Sequence, residues 1–392
     1  MKLLFVLGIG FDREGPSVHL LQDILIAALD KGHSVVVVLK KTGGPYEEMP
    51  SKLKTNKRFQ FFVIDEQHKK QQKGFLGRYL SEIRYSKECS RFVSKSDNFD
   101  AVFLQSTPAV YFYMKWLIKL NCRIVFNVQD IFPYNLKLSG QLPFETISFP
   151  FLRKLQNLGY RKADKIITIS DDMKQTLVSD GVKASNIEVV YNWSYSDTSI
   201  RLERIDKANV YDFCLDKSKF NIVYAGNIGK MQNVELIARV AKEMNSDSSF
   251  HFYIIGDGAN KETVKAIVKG LSNVTILPMQ PTRYAESIYA QADLNVIPLM
   301  PGGIKTAIPS KTATAIRAEK PILFCCDTDS LFYQLIRDDD QIYAVDCMKA
   351  SAFVETIRKL QSEKGKEYHS SALLKLMSKN NAYKYISIMT NE

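Results

Sequence analysis

The stretch Pro301–Leu323, PGGIKTAIPSKTATAIRAEKPIL, reads as a glycine-bearing loop, a short helix and the start of the next strand. Pro309 suits the first turn of a helix, where its missing N–H would be unpaired anyway. Ser310 and Lys311 follow, so a hydroxyl, free backbone N–H groups and a cation meet at one helix N-terminus, a disposition that holds anions. Glu319-Lys320-Pro321 closes the helix, and ILFCC opens a buried strand. An ordinary loop and helix start would look the same in isolation. Its place after several strand–helix repeats, where an open α/β sheet takes its ligands, favours the anion reading.

Working outward, the same alternation fills both halves of the chain. Phe220–Tyr224 is a strand, Ala225–Lys230 (AGNIGK) a glycine loop and Asn233–Met244 a helix. Phe250–Ile255 is a strand ending in Gly256-Asp257-Gly258; a helix at Lys261–Gly270 and strands at Val274–Leu277 and Leu294–Pro298 follow. Upstream, Lys2–Leu7 is a strand, Gly8-Ile9-Gly10 opens a loop, Pro16 starts a helix and Ser34–Leu39 is a continuous apolar strand, one βαβ unit with a buried parallel sheet. The loop has the G-x-G start of a dinucleotide fingerprint without the third glycine. Two α/β domains with doubly wound parallel sheets follow: residues 1–195, a polar linker at 196–218, residues 219–370, and a closing segment 371–392 that crosses back to the first domain. Two such domains enclose a cleft faced by their strand ends.

Arg123–Val128 is a strand that delivers Gln129-Asp130-Ile131-Phe132-Pro133 at its end. An Asp there accepts sugar hydroxyls or takes a proton; an Asx-turn at a strand end is the equally weighted structural alternative. Residues 134–148 read as irregular. Phe75–Val93 and Phe149–Tyr160 read as helices with mixed aromatic and basic faces, suited to packing on the sheet or to a membrane surface.

With 392 residues and 45% hydrophobic content the chain can bury two large cores. No apolar run is long enough to span a membrane, and MKLLFVLGIG reads as a first strand rather than a signal peptide. Net charge is +11; residues 1–200 hold 28 Lys+Arg against 20 Asp+Glu, so the excess lies in the first half. Anionic lipid headgroups and phosphorylated substrates fit that balance, and no nucleic-acid motif appears. The six cysteines and five histidines show no metal-ligand spacing. Cys325 and Cys326 read as core thiols of a reducing compartment.

The chain resembles the glycosyltransferases of the GT-B fold, most closely family 4 of the retaining, nucleotide-sugar-dependent enzymes. The likeness rests on KGHSVVVV, NVQDIFP, RKADKIITIS and IEVVYNWS in the first half. In the second half it rests on FNIVYAGNIGKMQNVELI, FYIIGDG, NVTILPMQP, YAQADLNVIPL and PSKTATAIRAEKPIL. QDIFP, GNIGKMQ and PSKT point to the branch of bacterial capsule, lipopolysaccharide and exopolysaccharide transferases. The resemblance implies that the loop Gly226, Asn227, Gly229 and Lys230, with Gly256 and the helix start Pro309, Ser310, Lys311 and Thr312, holds the donor diphosphate. It implies that Met279 and Gln280 hold the base, that Thr314 or Thr312 reaches the ribose, and that Gly8, Gly10 and Gln129 border the acceptor. Asp130 would contact the reacting sugar or the acceptor, and Lys311 the leaving group. The family's spaced pair of glutamates falls on Thr306 and Thr314, and its Arg and Lys of the second glycine loop fall on Asn227 and Gln232.

The expected reaction is transfer of a sugar from a nucleotide-diphosphate sugar, UDP favoured, to a glycan or lipid-diphosphate-linked acceptor. It is expected to proceed with retention, without a metal or other cofactor, at the cytoplasmic face of the plasma membrane. A non-catalytic transferase-like partner subunit and a nucleotide-sugar 2-epimerase are the alternatives; the second needs a carboxylate–histidine cluster that the sequence does not display.

Overall fold

The structure is a computed structural model that describes residues 1–11, 15–41, 49–65, 74–95, 98–194, 215–368 and 371–392. The chain divides into two compact units: Met1–Asn192 together with Lys379–Glu392, and Trp193–Ser378. Most of the expected linker lies outside the described residues.

Unit 1 is built on strands β1 (Lys2–Val6), β2 (Ser34–Lys40), β3 (Phe59–Ile64), β4 (Ala101–Gln105), β5 (Arg123–Val128), β6 (Lys165–Thr168) and β7 (Ile187–Val189). They form one parallel sheet in the order β3-β2-β1-β4-β5-β6-β7. Its helices are α1 (Pro16–Asp30), α2 (Ser51–Lys54), α3 (Phe75–Val93), α4 (Val110–Leu117), α5 (Tyr134–Leu138), α6 (Glu145–Tyr160) and α7 (Asp171–Ser179). Valine and isoleucine runs make β2 and β6 because branched side chains suit strands covered on both faces. Helices α3, α4 and α6 pack side by side. A Cβ on Gly159 would lie 2.7 Å from Val110 Cγ1, so α6 meets α4 through a bare backbone.

Unit 2 holds β8 (Phe220–Ala225), β9 (Phe250–Ile255), β10 (Val274–Leu277), β11 (Leu294–Pro298), β12 (Ile322–Cys326) and β13 (Ile342–Asp346) in the order β10-β9-β8-β11-β12-β13, all parallel. Its helices are α8 (Val234–Glu243), α9 (Lys261–Ile267), α10 (Ala285–Gln291), α11 (Lys311–Arg317), α12 (Leu331–Ile336), α13 (Ala350–Ser362) and α14 (Ser371–Leu376). Both sheets carry the doubly wound, Rossmann-like order, in which the connections reverse direction between two neighbouring strands: β1 and β4 in unit 1, β8 and β11 in unit 2. Helix α15 (Asn381–Thr390) belongs to unit 1 and lies against α1, β4 and β5.

Three expectations are corrected. Pro309 does not start α11, which begins at Lys311; Pro309 stands before the Ser310 cap, and its carbonyl accepts the Thr312 N–H at 3.0 Å. The segment 134–148 is not irregular, because α5 forms there and α6 starts at Glu145, four residues before the aromatic stripe that marked it. The sequence over 368–384 reads as one helix, whereas the structure has α14 and α15, separated near Lys379-Asn380.

Candidate functional site

In unit 2 the strand ends at the β8/β11 reversal carry the predicted glycines. Gly226 follows β8 with φ +138°, open to glycine and costly for other residues. Its N–H donates to the Ile255 carbonyl at 2.9 Å. A Cβ there would stand 2.7 Å from Lys311 Nζ. Gly256 is tighter still: a Cβ would fall 1.9 Å from the Gly226 carbonyl oxygen. The two glycines thus let backbone and one cation converge.

That cation is the most telling group in the unit. Lys311 comes from the first residue of α11 and lays Nζ 3.7 Å from the centre of the Tyr224 ring, on β8. The Lys311 side chain keeps partial contact with solvent, but Nζ is sealed off and has no hydrogen-bond partner. Burial pulls its pKa down from 10.5 to about 7, because an ammonium loses hydration that the Tyr224 face only partly replaces. The next residue of α11, Thr312, also has a buried hydroxyl without a partner. Buried polar groups ordinarily find partners, so a cation and a hydroxyl left open together mark a place for an anion. Tyr224 is itself held by its hydroxyl, which donates to the Asn227 carbonyl.

The remaining predicted donor residues spread around this centre. Asn227 is exposed and donates through Nδ2 to Gln232 Oε1 at 3.3 Å, so the two positions that carry cations in the resembling family here form an amide pair. A Cβ on Gly229 would meet both amides, 2.6 Å from Gln232 Oε1 and 2.8 Å from Asn227 Nδ2. Lys230 is exposed on the following turn, and Met231 ties that turn to the loop after β11 by accepting the Met300 N–H at 3.1 Å. Met279 is exposed after β10, and Gln280 folds back on the Pro278 carbonyl at 3.1 Å. Ser310 is exposed at the α11 cap and makes no capping bond. Thr314 accepts a hydrogen bond from Ser194 Oγ at 3.2 Å, whereas Thr306 is buried with its hydroxyl turned onto the Gly303 carbonyl at 3.0 Å.

In unit 1 the reversal falls between β1 and β4, beside Gly8 and buried Gly10. The point of interest there was not anticipated. Glu82 of α3 takes a salt bridge from Lys40 Nζ at 3.3 Å and a hydrogen bond from Thr107 Oγ1 at 3.1 Å. A Cβ on Gly8 would lie 3.8 Å from Glu82 Oε2. Lys40 ends β2 and Thr107 follows β4, so the strand-end rule that singled out Asp130 reaches both; Glu82, in a helix otherwise read as aromatic and basic, gave no such signal.

Asp130 lies just past the end of β5. It is exposed, yet protein atoms crowd around it and push its carboxyl above the usual carboxylate range, an effect that solvent access moderates. Gln129 is engaged at both ends of its amide. Nε2 donates to Asn127 Oδ1 at 2.9 Å and to the Tyr385 hydroxyl at 3.3 Å, and Oε1 accepts from Asn192 Nδ2 at 2.7 Å. The bonds hold the segment carrying Asp130 against α15 rather than offering Gln129 to a ligand.

Two Rossmann-like units with glycine loops at their strand ends, one enclosing an open cation, define the class of the GT-B glycosyltransferases. The comparisons agree. The family described as "Glycosyltransferase Family 4" matches residues 18–193, and "Glycosyl transferases group 1" matches residues 219–363. The chain belongs to the GT-B glycosyltransferases of this group. It is 26% identical over 240 residues to a "Probable glycosyltransferase WbjE" of Pseudomonas aeruginosa, covering 59% of each chain. It is 27% identical over 208 residues to WcaI of Escherichia coli strain K12, named for a glycosyl transferase of colanic acid biosynthesis, covering 50% of each. The chain thus spans only about half the length of the curated relatives it matches. Among solved structures, Anabaena Alr3699/HepE in complex with UDP-glucose superimposes with a TM-score of 0.64 at 15% identity, over 100% of this chain and 95% of the other, a likeness of fold.

Proposed function

We propose that this protein moves a sugar from a nucleotide-diphosphate sugar, with UDP the favoured carrier, to a glycan or lipid-linked glycan acceptor of a surface polysaccharide. The observation that carries the reading is the enclosed, partnerless Nζ of Lys311 against Tyr224 and Gly226 at the end of β8, with a second partnerless group, the Thr312 hydroxyl, on the next residue. The names of the relatives and the UDP-glucose held by Alr3699/HepE support the donor class.

In this reading unit 2 takes the donor. The diphosphate oxygens accept hydrogen bonds from Lys311 and Thr312 and lie against the bare backbone of Gly226 and Gly256. As the bond between the anomeric carbon and the phosphate oxygen breaks, negative charge grows on the leaving diphosphate. A preplaced ammonium in a dry setting stabilises that charge more than it stabilises the ground state. Because Lys311 sits near neutrality in the free protein, the arriving anion also draws a proton onto it. The acceptor hydroxyl bonds the anomeric carbon, and its proton passes to the departing diphosphate oxygen. Unit 1 takes this acceptor beside Gly8, with Asp130 placed for the acceptor or the sugar. Retention of configuration and independence from metal are carried by the family likeness and belong to the proposal. So does peripheral attachment to a membrane; no helix among the described residues is long and apolar enough to cross one.

A titration of the purified protein with UDP, GDP and ADP, followed by thermal shift, tests the donor site. A shift with one nucleotide that vanishes in Lys311→Ala supports it. No shift with any nucleotide favours the second reading, a non-catalytic subunit. The features behind that reading are Thr306 closed inside its own turn, Thr314 bonded to Ser194, and the Asn227–Gln232 amide pair.

A further inference from the structure

Helix α6 is apolar on two sides, and packing accounts for only one. Its inward residues Leu152, Gln156, Gly159 and Tyr160 are buried in unit 1. Its outward stripe holds Ile147 and Phe151, exposed by 73% and 63%, and continues with exposed Lys154 and Leu158; Phe144, the residue just before the helix, is exposed by 85%. The four helical positions follow spacings of three and four, one continuous face of a helix. Exposed Arg161 and Lys162 follow the helix. Isolated exposed apolar residues are ordinary, but a contiguous run rimmed by cations marks an interaction surface.

The neighbouring α3 repeats the gradient. Leu76 and Leu80, exposed by 65% and 44%, occupy its first turns, and Lys87 and Arg91 are exposed further on. The first turns of α3 and the start of α6 share one small core, in which Phe75, Tyr79 and Phe149 pack around Phe132, Leu142 and Leu152. In a parallel sheet each crossover helix runs against its strands: α3 delivers the chain to the start of β4, and α6 to the start of β6. The apolar halves of both helices therefore lie toward the carboxyl edge of the sheet, the edge that carries Gly8 and Asp130.

We propose that the outward stripe of α6, with the first turns of α3, seats unit 1 on an anionic lipid bilayer with the carboxyl edge of its sheet turned toward the membrane. Phenylalanine, isoleucine and leucine enter the boundary of headgroups and acyl chains, and lysine and arginine meet lipid phosphates behind them. The charge supports a bilayer over a second copy of this chain, since that stripe would face its own cations. The consequence for the substrate rests on the acceptor reading of unit 1: the glycan accepted there is anchored in the same membrane, rather than free in solution.

The experiment is co-sedimentation of the full chain with vesicles of phosphatidylcholine, alone or mixed with phosphatidylglycerol, at low and high salt. It compares the wild type with the double variant Phe144→Asp and Phe151→Asp. Both positions are exposed, so the fold is retained, and an unchanged melting temperature and UDP response verify it. The wild type is expected on the anionic vesicles, less so in high salt, and the variant's partition falls about tenfold or more. A wild type that stays in the supernatant, or a variant that sediments as well as the wild type, overturns the proposal. So does a wild type that is dimeric in solution while the variant is monomeric, which would make a second copy the occupant. A wild type that binds vesicles yet ignores every nucleotide leaves the docking face standing and removes the donor reading instead.

Discussion

Lys311→Met keeps a long apolar side chain on the Tyr224 ring and removes only the enclosed amine. Lysine in an unfolded chain holds its proton up to its ordinary range, whereas burial brings Lys311 from 10.5 to about 7. Between those values the free folded protein binds fewer protons than the unfolded chain, so the Lys311 contribution to stability rises with pH across the window. The penalty of enclosing the charge is fully present below pH 7. At about 1.4 kcal/mol per pH unit the interval sets an upper limit of about 5 kcal/mol. Partial solvation of the side chain and the Tyr224 face reduce this to on the order of 2 kcal/mol at neutral pH. For a unit of this size that is a rise of about 4–8 °C in melting temperature. The same change removes the cation that the diphosphate needs. Scanning calorimetry at pH 7 with and without UDP reads both effects: the variant melts higher than the wild type and does not respond to UDP, while the wild type gains about 2.7 kcal/mol at a hundredfold excess over Kd. A variant that melts lower than the wild type makes Lys311 a structural strut, and one that keeps its UDP shift removes Lys311 from the site; either result refutes the reasoning.

The pH dependence of binding follows the same group. UDP affinity is expected to be flat just below pH 7 and to fall toward about tenfold per unit above it, as free Lys311 loses the proton that the complex requires; calorimetric titration between pH 6.5 and 9 measures it, and a flat profile contradicts it. Gly226→Ala places a methyl group 2.7 Å from Lys311 Nζ at a φ of +138°. It should cost about 1–3 kcal/mol of stability and weaken UDP binding, read by denaturant melts and titration. Glu82→Gln removes the 3.3 Å ion pair between Glu82 and Lys40 in unit 1. It should lower stability by about 1 kcal/mol and depress sugar transfer while leaving the UDP-induced shift of unit 2 unchanged.

Much of this architecture is legible in the sequence because parallel strands buried on both faces write themselves as valine and isoleucine runs separated by glycine loops. The positions of Gly226, Gly256 and Lys311 followed from the same rule, since ligand groups in such folds come from strand ends. What stayed hidden depends on contacts between distant segments. Nothing near Tyr224 announces that its ring lies under a lysine from α11. Glu82 acquires its place only when α3 folds beside β2 and β4. The start of α6 was missed because Phe144, Ile147 and Phe151 look outward, so the early turns lack the inward periodicity by which a helix is recognised. The residue that hid that helix start is part of the surface on which the docking proposal rests.

The changed residues of the second glycine loop offer the sharpest choice between an enzyme and a partner subunit. Asn227 is exposed and bonded only loosely to Gln232, at 3.3 Å, so Asn227→Arg needs no repacking. A guanidinium there adds a charge-assisted hydrogen bond to any diphosphate held near Lys311, a gain of about 1.5–3 kcal/mol. Ordering the longer side chain costs about 0.5–1.5 kcal/mol. The net is about 1 kcal/mol, roughly a fivefold rise in UDP affinity at neutral pH. The new cation also disfavours the ammonium of Lys311 in the free protein, which moves the onset of the alkaline fall in affinity to lower pH. Titration of the variant at several pH values reads both effects, and only a bound diphosphate links them. Tighter binding with an earlier alkaline fall supports a working donor site that relies on Lys311 with fewer cations than its relatives. Unchanged affinity across the whole pH range would leave Lys311 without an anion to meet and give the advantage to the non-catalytic reading.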